Sequence, residues 1–339
     1  MDQTNQERAI RLSLIVPVFN RPAEVEELLD SLCHQTCMDF EVILVEDGST
    51  VTCEKQVQQY TSRLKLHYFF KSNSGPGQSR NYGSERANGN YMVFLDSDCV
   101  IPPGYVDAVL KKLTTGYVDA FGGPDRAGTH FSPMQKAINY AMTSFFTTGG
   151  IRGGGEKLDK FYPRSFNMGY SKDVFEKTGG FSTMRFGEDI DMSLRILKRG
   201  FRTALVNDAY VFHKRRSNLN QFFKQVFNSG IARVVLFKKH PESLKLVHAF
   251  PSLFVLGVLM LTGLAVFLHP LWLIPLLIYS LLLFLDASIQ NKSLKVGLLS
   301  VVASLVQLSG YGCGFLMACW NILILRKQHY VAFLDNFYQ

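Results

Sequence analysis

Apolar and polar positions alternate along this chain in two distinct ways, and the change between them divides it. From the N-terminus to about residue 240, short apolar runs alternate with segments of helical period. Leu12 to Val16 is an apolar run stopped by Pro17. Pro22 to Leu32 then carries Val25, Leu28, Leu29 and Leu32 at helical spacing, with glutamates between them. Glu41 to Val45 and Leu64 to Phe70 predict two further strands, Gly77 to Ala87 a helix, and Tyr91 to Leu95 a fourth strand. This order of strands and helices predicts an α/β fold with a mostly parallel sheet flanked by helices. Ligands in such sheets bind beyond the carboxyl ends of the strands. The polar clusters fall there: Pro17 to Asn20, Glu46 to Ser49, and Asp96 to Asp98.

Beyond Asp98 the pattern predicts helices over Pro103 to Leu113, Pro133 to Thr147, Gly187 to Lys198 and Ser217 to Lys239, with a short strand at Val118 to Phe121. The glycine-rich stretch Gly149 to Lys157 has the composition of a loop, and it is a candidate lid. After residue 240 the polar positions thin out. Ala249 to Leu268 contains no charged side chain over about 20 residues, enough for a helix to cross a bilayer. Leu271 to Leu285 and Val296 to Leu325 are two more apolar runs, the last interrupted by the Ser309 to Gly314 sequence SGYGCG. The expected organisation is therefore a domain over residues 1–240 and a C-terminal helical membrane region over 241–339, with spans at about 249–268, 271–285 and 296–325.

Charge sharpens this picture. The net charge is +8, and much of the excess, from Lys214 to Lys245, immediately precedes the apolar runs. That placement fits attraction to anionic membrane lipids and a cytoplasmic location for the preceding domain. It fits nucleic acid less well, because the cluster adjoins apolar spans. No apolar stretch precedes the first strand, so no cleavable signal peptide is expected. The six cysteines form no disulfide or zinc spacing; Cys33 and Cys37 flank His34 without a second pair, and reduced thiols are expected.

Three groups of residues carry candidate chemistry. Asp96 and Asp98 follow a buried strand, where a turn can bring both carboxylates toward one Mg²⁺ or Mn²⁺ that also binds phosphate oxygens. Glu188 and Asp189 open a helix, whose N-terminus keeps a carboxylate ionised, as a general base requires; a helix cap with an Asp191–Arg195 pair is the structural alternative. Ser74 to Gly77 precede a helix carrying Arg80 and Asn81, which can face anionic groups. A nicotinamide site is disfavoured, since no G-x-G-x-x-G follows the first strand.

The motifs VPVFN, VEDGS, GPGQSRNYG, LDSD and GEDIDMSLR occur in that order. Together they resemble the family 2 glycosyltransferases of GT-A fold, over roughly Leu12 to His240. The resemblance implies transfer of a sugar, with inversion, from a nucleotide-sugar donor to a hydroxyl acceptor. It places Pro17, Val18, Asn20, Asp47, Gly48, Ser49, Arg80, Asn81 and Asp96 around the nucleotide sugar, with Asp47 on the base. It makes Asp98 the main metal ligand, assisted by Asp96 and by His213 in YVFH, and Asp189 the base, beside Glu188. The implied cofactor is Mn²⁺ or Mg²⁺, and the donor a UDP-sugar or, as the second choice, a GDP-sugar. Processive relatives carry Q-x-x-R-W near the membrane, whereas this chain has Gln225, Asn228 and Ser229 there. That departure favours transfer of a single sugar, to a lipid-linked or glycan acceptor if the apolar spans serve substrate access. An inactive sugar-nucleotide-binding scaffold and a processive synthase are the competing readings.

Overall fold

The computed structural model describes residues 10–126, 131–149, 162–327, 330, 332 and 333. Residues 150–157 of the glycine-rich candidate lid lie outside these. The chain forms two compact units, Met1–Arg126 with Leu158–His213, and Ala127–Lys157 with Lys214–Gln339. The helix that precedes the apolar segments groups with them, whereas the hydropathy pattern places the division after residue 240.

In chain order the elements are β1 (Leu12–Val18), α1 (Pro22–Cys33), β2 (Phe40–Asp47), α2 (Glu54–Tyr60), β3 (Leu66–Lys71), α3 (Pro76–Ser84), β4 (Tyr91–Leu95), β5 (Cys99–Val100), α4 (Tyr105–Thr115), β6 (Ala120–Gly122) and β7 (Asp125–Arg126). In the second unit come α5 (Pro133–Thr143) and α6 (Phe145–Thr148). The chain returns to the first unit with β8 (Asn167–Ser171), α7 (Lys172–Thr178), α8 (Glu188–Lys198), β9 (Thr203–Leu205) and β10 (Val211–His213). It ends in the second with α9 (Leu219–Lys239), α10 (Phe250–Phe267), α11 (Ile274–Asn291) and α12 (Leu294–Ala318).

The first unit is a seven-stranded sheet in the order β3-β2-β1-β4-β8-β6-β9. β1 to β4 are parallel, and β1, β2 and β4 are the near-continuous apolar runs expected of strands covered on both faces, whereas the edge strand β3 (LHYFFK) is only partly buried. β8 is antiparallel to both its neighbours. Its sequence NMGYS has little strand propensity, and the hydropathy pattern does not reveal it. Pairing on both edges makes the strand, and Gly169 allows the close fit: a Cβ there would stand 2.3 Å from the Phe121 ring. A second, three-stranded sheet, β5-β10-β7, carries His213 opposite Cys99.

In the second unit the expected helix over 133–147 is broken at Ser144, whose side chain caps α6 by accepting the Phe146 N–H at 3.2 Å. The third apolar segment is α-helical straight through SGYGCG, and a π-helical turn follows only over Cys319–Ile324. The glycines serve packing instead of a break. Added Cβ atoms at Gly310, Gly312 and Gly314 would meet Val226 of α9, Pro251 of α10 and the Phe227 carbonyl of α9 at 2.6, 2.3 and 2.1 Å. Small residues let helix backbones approach this closely in an apolar medium, where packing drives association.

Gly314→Leu would force α9 and α12 apart. Overpacking of this kind costs about 1–3 kcal/mol. A lower thermal midpoint in detergent is expected for Gly314→Leu, with no change for Gly263→Leu, where an added Cβ would meet nothing within 4 Å. Equal midpoints for the two variants would show that the contact is not required.

Candidate active site

The loops after β1 and β2 are tied to each other before any ligand is considered. Asn20 adopts a left-handed φ of 53°. Its N–H donates to Ser49 Oγ at 2.8 Å, and its Oδ1 accepts the N–H groups of Thr50 and Val51 at 2.8 and 2.9 Å. Gly48 turns the chain at φ 76°, with Asn73 N only 2.7 Å from where a Cβ would sit. Asp47 is buried, and its carboxylate accepts from Lys71 Nζ and from the N–H groups of Ser74 (2.9 Å) and Gly75 (2.8 Å). Pro17 and Val18 lie in β1 opposite Val45 and Glu46, and Val18 packs in the hydrophobic core. Glu46, to which the motif assigns no role, accepts from Ser49 Oγ, from the Cys53 N–H and thiol, and from Tyr68 Oη. Burial, with Glu46 beside it, pushes the Cys53 thiol far up, so it stays protonated. All six cysteines are free thiols.

The charged cluster is assembled from parts of the chain far apart in sequence. The chain leaving β4 turns at Ser97, with the Cys99 N–H donating to the Asp96 carbonyl at 3.1 Å. The turn brings both carboxylates to the His213 ring at the end of β10: Nε2 is 3.0 Å from Asp98 Oδ1 and 3.9 Å from Asp96 Oδ2. Phe166 stacks on that ring, with centroids 5.2 Å apart. Arg21 Nη1 donates to the other Asp98 oxygen.

Arg80, from α3, is 3% exposed and spans two acids, donating from Nη2 to Asp96 at 2.7 Å and from Nη1 to Glu188 at 3.1 Å. Its neighbour Asn81 bonds both the N–H and the carbonyl of Phe181 at 2.8 Å, which fixes the segment entering α8.

Glu188 and Asp189 begin α8 behind Gly187 (φ 76°). Burial and the adjacent Asp189 charge raise Glu188 to about 7 against the pull of Arg80. Burial also works against ionised Asp189, but Arg164, whose Nε donates to Oδ2 at 2.6 Å, holds this carboxyl below the usual range. Two neighbouring acids are thus driven apart, one kept ionised and the other titrating near neutrality, an arrangement found where acid–base work is done. Asp191 and Arg195 form the expected i,i+4 pair, and Arg195 further donates to the Thr178 and Gly180 carbonyls at 2.7 Å. That pair braces the loop before α8.

Asp98, Cys99 and His213 offer ligand atoms that all lie within 4.8 Å of one another. Carboxylate oxygen with imidazole nitrogen is a donor set that fits Mn²⁺, and the carboxylates alone also suit Mg²⁺. The residues present therefore fit the divalent ion implied by the sequence resemblance.

Comparison with known proteins agrees with this geometry. The family model described as "Glycosyl transferase family 2" matches residues 13–179. An uncharacterised glycosyltransferase of Haemophilus influenzae is 30% identical over 222 residues, covering 62% of this chain and 71% of that protein. The chain belongs to glycosyl transferase family 2. A GalNAc(5)-diNAcBac-PP-undecaprenol beta-1,3-glucosyltransferase of Campylobacter jejuni is 33% identical over 117 residues, 33% of this chain and 37% of that protein. The match to an uncharacterised glycosyltransferase of Rickettsia bellii, 37% identical over 106 residues, spans only 15% of that protein's length. Among solved structures, mannosyltransferase PcManGT from Pyrobaculum calidifontis, in complex with GDP-Man and Mn²⁺, shares the fold with a TM-score of 0.63 and 18% identity, over 92% of this chain and 88% of that one.

Arg21, Arg164, Lys71 and Glu46 are site residues that the motifs do not single out. Arg21 adjoins VPVFN and Glu46 lies within VEDGS, so position in those motifs could have flagged both. Arg164 has no local signal; it meets Asp189 only because the segment before β8 and the start of α8 come together in the fold.

Glu188 gives a pH test. The native state holds its proton up to about pH 7, whereas the unfolded chain releases it near the ordinary 4.5. Its contribution to stability is therefore complete below about pH 4.5 and is lost as the pH rises toward 7. Glu188→Gln cannot ionise, so its thermal midpoint should gain on that of the parent by several degrees across this window, one pKa unit being worth about 1.4 kcal/mol. Parallel curves from pH 4.5 to 7 would show that Glu188 titrates normally.

Proposed function

We propose that this family 2 member is an inverting glycosyltransferase that moves one sugar from a nucleotide-sugar donor to a hydroxyl of a lipid-linked acceptor. The observation that carries this reading is the convergence of Asp96, Asp98 and His213 with the Arg80–Glu188 and Arg164–Asp189 pairs in one cluster. Asp98 and His213, with Asp96, would hold the divalent cation. When bound, that ion neutralises charge on the departing nucleoside diphosphate.

The remaining work belongs to the side chains. The loops tied by Asn20, Gly48 and Ser49 form the nucleotide side, with Asp47 proposed to reach the base through the segment its carboxylate organises. Arg80 keeps the donor-side Asp96 and the Glu188 carboxyl in one frame. Asp189, ionised and oriented by Arg164, accepts the proton of the attacking hydroxyl at Oδ2 or Oδ1 as the bond to the anomeric carbon forms. The anomeric centre gains oxocarbenium character, so attack from the face opposite the diphosphate inverts it.

Three observations support a lipid-linked acceptor on the cytoplasmic face: the apolar helices, the basic residues preceding them, and the Campylobacter relative whose name specifies an undecaprenol-linked substrate. PcManGT holds GDP-Man, whereas the motif resemblance favours a UDP-sugar, so a donor panel decides between them.

Nucleotide release by the detergent-solubilised protein, from UDP-, GDP-, CDP- and dTDP-sugars with a membrane lipid extract as acceptor, tests the reading. Release from one donor is expected with Mn²⁺ or Mg²⁺, and loss of it with chelator and in Asp98→Ala. Asp189→Asn should bind the donor with unchanged affinity yet turn over about 10²–10⁴-fold more slowly, the usual contribution of a positioned base. Parent-like turnover by Asp189→Asn would remove it from that role, and failure of the parent to bind any nucleotide sugar would refute the function.

A further inference from the structure

Among the described residues three helical segments are long and apolar enough to cross a membrane, Leu246–Phe267, Pro270–Asn291 and Leu294–Ile324, but they pack very differently. Of the most apolar stretch, 6% and 11% is buried in the first two and 44% in the third. The third is also 31 residues long, about 46 Å as a helix, well beyond the roughly 30 Å of a hydrocarbon core.

Its contacts show where it lies. Near one end, Gly297 fits against Ser288 and Phe284, in the last part of α11. Further along, Gly312 fits against Pro251 and Val255 at the start of α10, and Ser252 Oγ donates to the Gly312 carbonyl at 3.4 Å. When a helical hairpin crosses a bilayer and returns, the start of its first leg and the end of its second are on the same side. α12 therefore touches both legs at one side of the membrane. The connection between the legs is highly exposed, with Phe267 at 85% and Leu268 at 67%.

α9 gives an independent constraint. It runs parallel to α12, pairing Val226 with Gly310, Phe227 with Gly314, and Ile231 and Val234 with Ala318 and Ile322. The helix carries Lys224, Arg233, Lys238 and Lys239. An upright α12 would draw these charges into hydrocarbon, where each is costly.

Past the π-helical turn the chain reverses at Arg326 (φ 55°), and Lys327 bonds back to Asn321 through both its N–H (3.0 Å) and Nζ (2.8 Å). Phe333 then reaches α9, with its ring 5.3 Å from that of Phe227 and 5.9 Å from Lys224 Nζ. The third helix exposes apolar side chains towards both of its ends, Leu294, Leu298, Val302 and Leu305 near one and Trp320 and Ile324 near the other, a face suited to lipid.

We infer that α10 and α11 cross the bilayer as a two-pass hairpin, while α12 lies along one membrane surface with its apolar face in a single leaflet. Arg326, Lys327 and Phe333 then lie on the side from which α10 enters, and the two basic residues share the compartment of the basic α9, as the positive-inside bias prefers.

This rests on the membrane attachment proposed above, and the test separates the two. Fluorescent-protein and alkaline-phosphatase reporters are fused in turn to each end of the full chain, and His269→Cys, at the hairpin connection, is probed with a membrane-impermeant maleimide against the parent background. Both ends should report the same compartment, and the added cysteine the opposite one. Leu268→Cys repeats the measurement should the first variant fold poorly. Ends in opposite compartments would mean that α12 crosses, and a connection in the same compartment as the ends would mean that the hairpin does not; either result overturns the inference. Release of the parent from membranes by alkaline carbonate would instead refute membrane embedding itself, and this topology with it.

Discussion

A single buried guanidinium organises the catalytic unit. Arg80 sits on α3 almost without solvent, its charge answered by Asp96 on one side and its Nη1 donating to a Glu188 oxygen on the other, with the Phe181 ring 5.4 Å from its carbon. A buried cation is tolerable only when paired and hydrogen-bonded, and removing one partner of such a pair is far more damaging than loss of a surface bridge. The end of β4 and the start of α8 are therefore held to α3 by electrostatics as well as by packing. Gly77, one turn earlier on α3, leaves room for the Glu188 side chain, whose Cγ would be 3.1 Å from an added Cβ.

The same bridge explains why adjacent carboxyls behave differently. Glu188 is deeply buried and must share Arg80 with Asp96, so burial and the negative charge beside it dominate and its proton is held. Asp189 has the Arg164 guanidinium and the N–H of Ile190 at 2.8 Å, and it stays ionised. Two consecutive carboxyls are thus set apart by dividing the cations between them, Arg164 to Asp189 and a share of Arg80 to Glu188. The loops after β1 and β2 are shaped in another way, by backbone N–H groups that donate to the side chains of Asn20, Asp47 and Glu46.

In the second unit no charge plays the part of Arg80 among the described residues. Glycines at 230, 310, 312 and 314 let three helix backbones meet, and the contacts between them are van der Waals in kind. Polar anchors are specific, such as Tyr140 Oη donating to Asp286 at 2.6 Å, which fastens α5 to α11. α5 stands between β7 and β8 in the chain, yet it is part of the apolar unit.

Much of this was legible in the residues alone. The parallel strands β1, β2 and β4 announced themselves because strands buried on both faces must be continuously apolar, and the three C-terminal segments by the length of their apolar runs. The order of the motifs was enough to indicate the family, since each marks a strand end or helix start that the fold brings to one edge. What remained hidden was whatever depends on a partner distant in the chain. β8 has no strand signal of its own and exists through its two neighbours; Arg164 is an ordinary arginine until α8 is beside it; SGYGCG reads equally as a break or as a contact surface until α9 and α10 are packed against it. Hydropathy and periodicity are local properties, so the sequence by itself determined the elements, their order and the carriers of charge. Which charges pair, which glycines are contacts and which apolar helix is covered are properties of pairs, and only the tertiary structure decided them.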